Sequence, residues 1–351
     1  MRRMAYAFTT SLMCFLCSTL SAASWWYNAD VDFGAGYRID NFDLSIAGEN
    51  DTPNVLAEIK WKDLKTAQTN VRLKIVSCDN LYWRTSGDFG CILYGENRYS
   101  VYAADNRTLE ISRAYHTANG YWVYDGCTGI GYCFRTPHQQ FEIAPLVGFS
   151  MHGQHLLMAD GDQKISIFPE DIGPVRNFRN RYKTLWQGGF AGVDLAFNYR
   201  CWHFYAQGEW HWAAYHAKGR WERQRVFRER YVDKAQGHGQ VYTYGINYTN
   251  NTDWQWSIGV VGNYQLWHTR PGRHVVKSFV RAADIHHIQH HQDSNQRNHH
   301  HETDKKEIQQ LNQQVAHQDT FVDTLPINFS NKLNPITWYS YSLSITLDTY
   351  F

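Results

Sequence analysis

The sequence predicts an all-β protein, a single antiparallel transmembrane β-barrel of ten strands with long outer loops. Residues 337–351 alternate large apolar with small polar side chains and end on Phe351. The same alternation recurs along most of the chain, and a secretory leader precedes it. Successive side chains of a strand point to opposite faces, so each such strand has one apolar and one polar face. Repeated strands of this kind behind an export signal are typical of a barrel with lipid outside and a polar lumen.

Residues 1–23 have the plan of a secretory signal peptide. Two arginines near the start are followed by an apolar stretch over 8–20 and by the small residues Ser21–Ala23. The apolar stretch is shorter than the roughly 20 residues that a bilayer-spanning helix needs, which argues against an uncleaved anchor. We therefore expect cleavage after residue 23, with residues 24–351 forming the barrel in a bacterial outer membrane.

The composition argues against one class of partner and favours lipid. The 34 Lys and Arg residues nearly balance the 33 Asp and Glu residues, so the net charge of +1 gives no reason to expect a nucleic-acid partner. Aromatic residues make up 16% of the chain, with 14 Trp and 23 Tyr. Such rings favour the two aromatic girdles of a membrane barrel. Polar lumen residues dilute every apolar strand, which agrees with a mean hydropathy of −0.55.

The first two strands show the alternation along their length. Odd positions from Val31 to Ile39 carry the apolar face, and the parity changes before Phe42, which predicts a bulge near Asp40. The stretch 54–77 carries mostly apolar residues on odd positions and mostly polar or charged residues on even ones. The charged side of this stretch is predicted to face the lumen.

Eight further strands complete the predicted barrel, and the connections between strands alternate in length. Short turns near 79–80, 136–140, 198–201 and 250–252 suit the periplasmic end, whereas long segments suit outer loops. The alternative is a soluble all-β barrel or sandwich, but strands of globular proteins usually have about five or six residues. The eight strands span 81–95, 120–135, 141–158, 185–197, 202–221, 239–249, 254–269 and 337–351, and the long segments span 96–119, 160–182, 223–238 and 270–336.

Seven charged residues are predicted to face the lumen, and two interpretations of them stay open. They line a narrow pore, or they close into an ion-pair network that stabilises the wall. A ten-stranded barrel is only slightly wider than the eight-stranded barrels whose side chains fill the interior. The seven residues are Glu58, Lys60, Arg72, Lys74, Glu142, Asp194 and Glu209.

The segments 36–64, 145–161, 186–197, 202–221 and 256–272 resemble the Protochlamydia-type outer membrane proteins. That family in turn resembles the omptins, which are ten-stranded barrels that stand well above the membrane. The similarity runs in order through most of the mature chain. The resemblance to the Protochlamydia-type proteins implies a porin-like function. The more distant resemblance to the omptins implies an aspartate- and histidine-dependent surface protease.

The protease interpretation can be checked against the outer loops. Omptins carry an Asp-x-Asp pair in the second loop and an Asp-x-His pair in the fourth, and both must reach one water. Here Arg98 and Ser100 occupy the positions of the first pair, while Asp233 and His238 in the fourth loop do not have the required spacing. We therefore predict no catalytic residues and no enzyme activity. Pairs with the right spacing lie in the third and fifth loops, at Asp160 with Asp162 and at Asp284 with His286.

The last outer loop is rich in histidine. If residues 284–292 are helical, two pairs of histidines lie one turn apart, a spacing that can chelate zinc, nickel or copper. The alternative is a mobile polar loop that tolerates histidine. Any binding is expected to be loose, so no cofactor is predicted. The histidines are His286, His287, His290, His291, His299, His300 and His301.

Five cysteines follow the leader. Antiparallel pairing of 81–95 with 120–135 brings Cys133 near Cys78 at the periplasmic rim, which predicts a disulfide in an oxidising compartment. Cys201 lies at another periplasmic turn and is left over in an odd set, so a link to another envelope protein is expected there.

These observations predict porin-like passage of small solutes through a narrow polar lumen. The alternative is a surface-display protein, an adhesin or a metal-binding barrel without channel activity. An omptin-like protease is the third function. The expected partners are outer-membrane lipid, small solutes and envelope proteins that Cys201 contacts.

Overall fold

The computed structural model describes residues 26–137, 140–223, 227–250, 256–281 and 324–350. The predicted signal peptide and the seven histidines of the last outer loop lie outside these ranges. The described chain forms fourteen strands and three 3-10 turns. The strands are β1 (Trp26–Ile46), β2 (Ala57–Ser77), β3 (Leu81–Tyr102), β4 (Glu110–Thr117), β5 (Trp122–Tyr132), β6 (Phe134–Arg135), β7 (Phe141–Ser166), β8 (Gly173–Tyr199), β9 (Trp202–Arg223), β10 (Phe227–Asn250), β11 (Trp256–Thr269), β12 (Gly272–Arg281), β13 (Thr324–Leu333) and β14 (Thr337–Tyr350), and the turns are Glu49–Asp51, Asp105–Arg107 and Pro169–Asp171.

The strands form one antiparallel sheet that closes into a ring. β1 pairs with β2 on one side and with β14 on the other, and β10 pairs with β11 to complete the circuit. Some strands share one position: β4, β5 and β6 lie between β3 and β7, β12 continues β11, and β13 continues β14. The ring therefore has ten strand positions, which confirms the predicted ten-stranded antiparallel barrel.

The strands are much longer than a membrane requires. β7 has 26 residues, which at about 3.3 Å per residue and a tilt of about 40° gives a wall about 65 Å tall. The apolar band of an outer-membrane barrel is only about 25 Å tall. Much of 96–119, 160–182 and 223–238, predicted as loops, is therefore strand. The prediction was wrong here because it relied on apolar residues that face lipid. Beyond the membrane that pattern ends, but neighbouring strands continue and pair with each other.

The outer surface of the lower wall is apolar. Ile345 is 64% exposed, Leu343 61% and Val147 59%, with many further apolar and aromatic side chains around the ring. Monomeric soluble proteins rarely expose a continuous apolar surface of this size, whereas lipid covers it in a membrane. Within the described residues, no helix has the length and hydropathy of a membrane span.

Above this belt the apolar face turns inward. On β1, Phe33 points outward among the exposed residues, whereas Phe42 and Leu44 are buried in the core. β1 keeps its alternation throughout; the chemistry of its two faces changes because water replaces lipid outside. A register shift confirms a bulge at Asp40, but the extra residue belongs to β2, between Trp61 and Leu64.

This bulge corrects two of the predicted lumen residues. Ile59 and Trp61 belong to the buried core, so Glu58 and Lys60 lie on the outer face of the wall. There Arg98 and Arg107 pair with Glu58 at 2.9 Å each. The sequence prediction carried one parity through 54–77, whereas the bulge exchanges the two faces.

Candidate functional site

Six large aromatic side chains fill the lumen just above the lipid belt, and we call them the aromatic seal. Phe42 on β1 and Tyr182 on β8 lie on opposite sides of the ring, and their ring centroids are 6.0 Å apart. Trp186 on β8 lies 6.3 Å from Trp338 on β14. Contacts of this length across the barrel leave no open lumen at this height. The seal consists of Phe42, Trp61, Tyr182, Trp186, Trp267 and Trp338.

Further contacts hold the seal in place. Trp267 and Trp338 stack at 5.7 Å with an interplanar angle of 15°. Trp61 Nε1 donates a hydrogen bond of 2.9 Å to the carbonyl of Leu157, which ties β2 to β7. Trp338 Nε1 donates to Asp40 Oδ1 at 2.9 Å. The indole groups of Trp61 and Trp338 are therefore fixed by both packing and hydrogen bonds.

A buried ion-pair network lies beneath the seal. Arg38 on β1 pairs with Asp40 at 2.9 Å and, across the lumen, with Asp125 on β5. His152 on β7 contacts the same Asp125 at 2.8 Å. These groups are less than 10% exposed, and the network spans the lumen beneath the seal.

A second network joins β3 to the far wall. Arg84 pairs with Asp194 on β8 at 2.7 Å and with Glu209 on β9. Tyr82 donates to Asp194, and His211 contacts Glu209 at 2.8 Å. Two predicted lumen residues, Asp194 and Glu209, are thus brought together by Arg84, which the sequence analysis did not identify.

The remaining predicted lumen residues line the lower barrel. Lys74 pairs with Glu142 at 3.1 Å, and Arg72 lies 3.8 Å from Asp32. Two cavities lined mostly by charged and polar side chains lie in this region. Both are lined by Asp32, Arg72 and Gln207, so the cavities adjoin one another beneath the seal.

Five of the seven predicted lumen residues therefore face the interior. Arg38, Arg84 and Asp125 belong to the networks but were not predicted as lumen residues. Arg38 follows the outward-facing Tyr37 and therefore lies on the polar face of its strand. Alternation alone could have assigned it to the lumen. Asp125 lies in a glycine-containing strand whose alternation is irregular.

The acidic and histidine residues of the outer wall do not form the omptin pattern. Asp233 contacts His274 Nδ1 at 2.5 Å and accepts a hydrogen bond of 2.5 Å from Tyr182. Burial and the adjacent Asp233 raise the pKa of Tyr182 well above its usual value, so the phenol remains a donor. His238 instead lies outside the lumen and stacks on Trp210 at 5.3 Å.

The other positions considered for catalysis are also separated. Arg98 is bonded to Glu58 on the outer face. Asp160 Oδ1 accepts the Phe178 amide, and Asp162 pairs with Lys164. Among the described residues, no three His, Cys, Asp or Glu side chains converge as a metal site would require.

Among the described residues, Cys78, Cys91, Cys127 and Cys133 are free thiols. Cys78 is exposed, whereas Cys133 is buried beside Val76 and Tyr82. The predicted Cys78–Cys133 disulfide is therefore absent, because the two side chains lie in different environments although their strands are neighbours. Cys201 is half-buried.

The outer face of the wall above the lipid belt carries a basic band. Strand register places Lys183 opposite Lys218 and Arg181 opposite Arg220. All four side chains are exposed. Burial, with the positive charges of Lys183 and Arg181, lowers the pKa of the neighbouring His155 to about 4. We use the name basic band for Arg179, Arg181, Lys183, Lys218, Arg220 and Lys234.

A closed antiparallel ring with a lipid-facing belt and a filled interior defines an outer-membrane β-barrel protein. The family described as Protochlamydia outer membrane protein (Pom) matches residues 32–297, and the chain belongs to this family.

Among the solved structures compared, the first one below supports the same fold. The outer membrane protease OmpT of Escherichia coli matches with a TM-score of 0.70 at 11% identity, over 94% of this chain and 99% of that protein. The translocator domain of the autotransporter NalP from Neisseria meningitidis covers 98% of this chain and 95% of its own, with a TM-score of 0.30 and 8% identity. The toluene transporter TodX of P. putida gives a TM-score of 0.24 at 7% identity, over 94% and 91% of the two chains. A search of curated proteins gave no significant match.

Proposed function

We propose that this protein is a non-conducting outer-membrane barrel that presents its tall outer wall as a binding surface. The observation that carries the proposal is the aromatic seal, in which rings from opposite sides of the barrel touch. It favours the surface-display alternative over porin-like passage.

Ring packing leaves no room for hydrated ions. Aromatic pairs in contact have centroids about 4.5–7 Å apart, and the pairs across the seal fall within this range at 5.6 Å for Trp61 with Tyr182 and 5.5 Å for Trp186 with Trp267. The indoles of Trp186, Trp267 and Trp338 are fully buried. Buried rings that contact one another obstruct the passage of water at this height.

The charged groups below the seal also argue for a closed barrel. Arg84 reaches across the lumen to Asp194 and Glu209. Arg38 pairs with Asp40 on its own strand and reaches across the lumen to Asp125. Buried charges need such partners because desolvation of an unpaired ion is very costly. Charges engaged in this way stabilise the wall and are not free to guide a permeating solute.

Non-catalytic display agrees with the arrangement of the outer acidic groups. A hydrolytic water needs a base within hydrogen-bond reach and a second group opposite it. Asp233 is already engaged by His274 and Tyr182. The position facing it in the omptin pattern carries Arg98 and Ser100, which are not acids.

The basic band is the part of the wall best suited to bind a partner. Like charges directly opposite one another on neighbouring strands are destabilising, and Lys183 opposite Lys218 is such a pair. A bound polyanion would relieve this repulsion. Lys218 follows the exposed Trp212 by six residues along β9, about 15 Å higher, so an anionic polysaccharide outside the membrane is the partner we propose.

We expect the purified, folded protein to produce no current steps in planar lipid bilayers, because the seal blocks the lumen. Single-channel recording tests this, with a sixteen-stranded porin as the positive control and heat-modifiable gel migration as proof of folding. Discrete, reproducible steps from the folded barrel would refute the closed-barrel proposal.

We expect Lys183→Gln with Lys218→Gln to weaken heparin binding by roughly fivefold to tenfold, since two charges are lost from a solvent-screened surface. Binding can be measured by surface plasmon resonance at low and high salt. The matched control is Lys62→Gln with Lys65→Gln, which removes two exposed lysines from the opposite wall. Equal loss in both double variants, or none in either, would show that the basic band is not the binding surface.

A further inference from the structure

Four neighbouring strands bring a set of oxygen-bearing side chains together on the lower lumen wall. Asp32 on β1 lies opposite Asp348 on β14. Asp348 lies opposite Ser257 on β11. Gly259 follows Ser257 by two residues on β11, and it lies between Asn247 on β10 and Thr346 on β14. The register alone therefore places these groups side by side.

Hydrogen bonds orient this cluster. Ser257 Oγ donates to Asp348 Oδ2 at 2.7 Å, and Asn247 Nδ2 donates to the same oxygen. The amide nitrogen of Asn247 faces the carboxylate because the amide oxygen would be repelled there. Asn247 Oδ1 is consequently directed away from Asp348 Oδ2.

Three oxygens of the cluster are left without a hydrogen-bond partner. They are Asp348 Oδ1, Asn247 Oδ1 and Thr346 Oγ1. Their residues are 0%, 3% and 4% exposed, respectively. Buried acceptors without donors are costly, and a cation is the ligand that several converging oxygens would satisfy.

Gly259 allows two of these oxygens to approach each other. A Cβ at this position would lie 2.0 Å from Asn247 Oδ1 and 2.8 Å from Thr346 Oγ1. Any side chain there would displace both oxygens. The glycine thus forms the floor of a small oxygen-lined cradle.

The local charge also favours a cation. The strand register places the Asp32 and Asp348 carboxyl groups directly opposite one another. Arg72, whose Nη1 lies 3.8 Å from Asp32, offsets one of the two charges. Ionisation of Asp348 would then leave one uncompensated negative charge beside the unpartnered oxygens.

The cluster has access to the lumen cavities. Asn247 lines one cavity and Thr346 lines the other, while Asp32 lines both. A small ion in either cavity can reach the oxygens without passing the aromatic seal.

We propose that Asp32, Asn247, Thr346 and Asp348 form a binding site for Ca²⁺ inside the barrel. Carboxylate, amide and hydroxyl oxygens are hard ligands, which favour Ca²⁺ over zinc or copper. Ca²⁺ accepts six to eight oxygens in irregular geometry and can complete its shell with cavity water, whereas Mg²⁺ needs near-ideal octahedral geometry. The bound ion would join β1, β10 and β14 close to the periplasmic end.

The test is equilibrium dialysis of the full-length folded barrel against radioactive Ca²⁺, with competition by Mg²⁺ and Na⁺. We expect one site that is lost in Asp348→Asn and at least tenfold weaker in Thr346→Val. Ca²⁺ should also raise the unfolding temperature of the wild type and not that of Asp348→Asn.

The matched control is Glu142→Gln, which neutralises another lumen carboxylate, paired with Lys74 and Arg135. This variant should bind Ca²⁺ as the wild type does. Absence of bound Ca²⁺, or equal binding by wild type and Asp348→Asn, would overturn the proposal and favour a proton shared by Asp32 and Asp348. Neither result bears on the closed-barrel proposal, because the site lies beneath the seal.

Discussion

Replacing Trp267 and Trp338 together by alanine is expected to make a barrel that conducts no ions permeable to them. The two indoles stack against each other in the middle of the aromatic seal, and Gln265 beside them lines the cavity below. Their removal would extend that cavity upward through the seal. The measurement is single-channel recording, in which the variant should show current steps that the wild type lacks.

The same substitution is expected to destabilise the barrel. Truncation of a buried tryptophan to alanine usually costs about 3–5 kcal/mol, because it removes apolar contacts and leaves a void. The two losses should not add fully, since the rings contact each other. Urea unfolding in detergent micelles gives this free energy, and heat-modifiable migration identifies the folded fraction used for recording.

The matched control is Trp210→Ala with Trp212→Ala, which removes two tryptophans from the outer face, where they are 41% and 59% exposed. This double variant should stay silent. If the folded Trp267 and Trp338 variant is also silent, the seal is not the barrier. Leakage from both double variants would indicate general loosening of the wall.

Replacing Arg84 by methionine is expected to lower the free energy of unfolding by about 3–5 kcal/mol. Arg84 is 1% exposed and is the cation that Asp194 and Glu209 share across the lumen. Without it, two buried carboxylates lose their compensating charge. Urea unfolding of wild type and variant measures the difference.

Two further variants separate charge from packing. Arg113→Met removes an arginine whose pair with Glu110 lies on a partly exposed surface, where such pairs contribute about 0–1 kcal/mol. Adding Asp194→Asn and Glu209→Gln to Arg84→Met should recover much of the loss, because no unpaired charge then remains. Equal destabilisation by Arg84→Met and Arg113→Met would contradict the role assigned to the network.

The strand pattern was readable because lipid and lumen impose opposite requirements on neighbouring residues. Residues 337–351 show this, since Tyr341, Leu343, Ile345 and Leu347 are all exposed to lipid. Above the membrane water replaces lipid outside the barrel, so the outward face becomes polar and the inward face apolar. The changed parity at Phe42 therefore marks where β1 leaves the bilayer, and no interruption of the strand occurs there.

The candidate site was predictable only in part. Asp194 and Glu209 could be assigned to the lumen from alternation, but alternation does not reveal that Arg84 lies between them. Glu58 and Lys60 were assigned to the wrong face because a bulge between Trp61 and Leu64 is not visible in residue spacing. Contact across the lumen decides the first question, and strand register decides the second.

By itself, the sequence determined the compartment, the strand class and the ten-stranded ring, because period-two alternation against lipid is a local property of each strand. Only the tertiary structure decided that rings from opposite walls meet inside the lumen. Phe42 and Tyr182 are separated by 140 residues of chain, yet their rings are 6.0 Å apart. Barrel closure creates that contact, since the ring curvature aims inward side chains from opposite walls at one another.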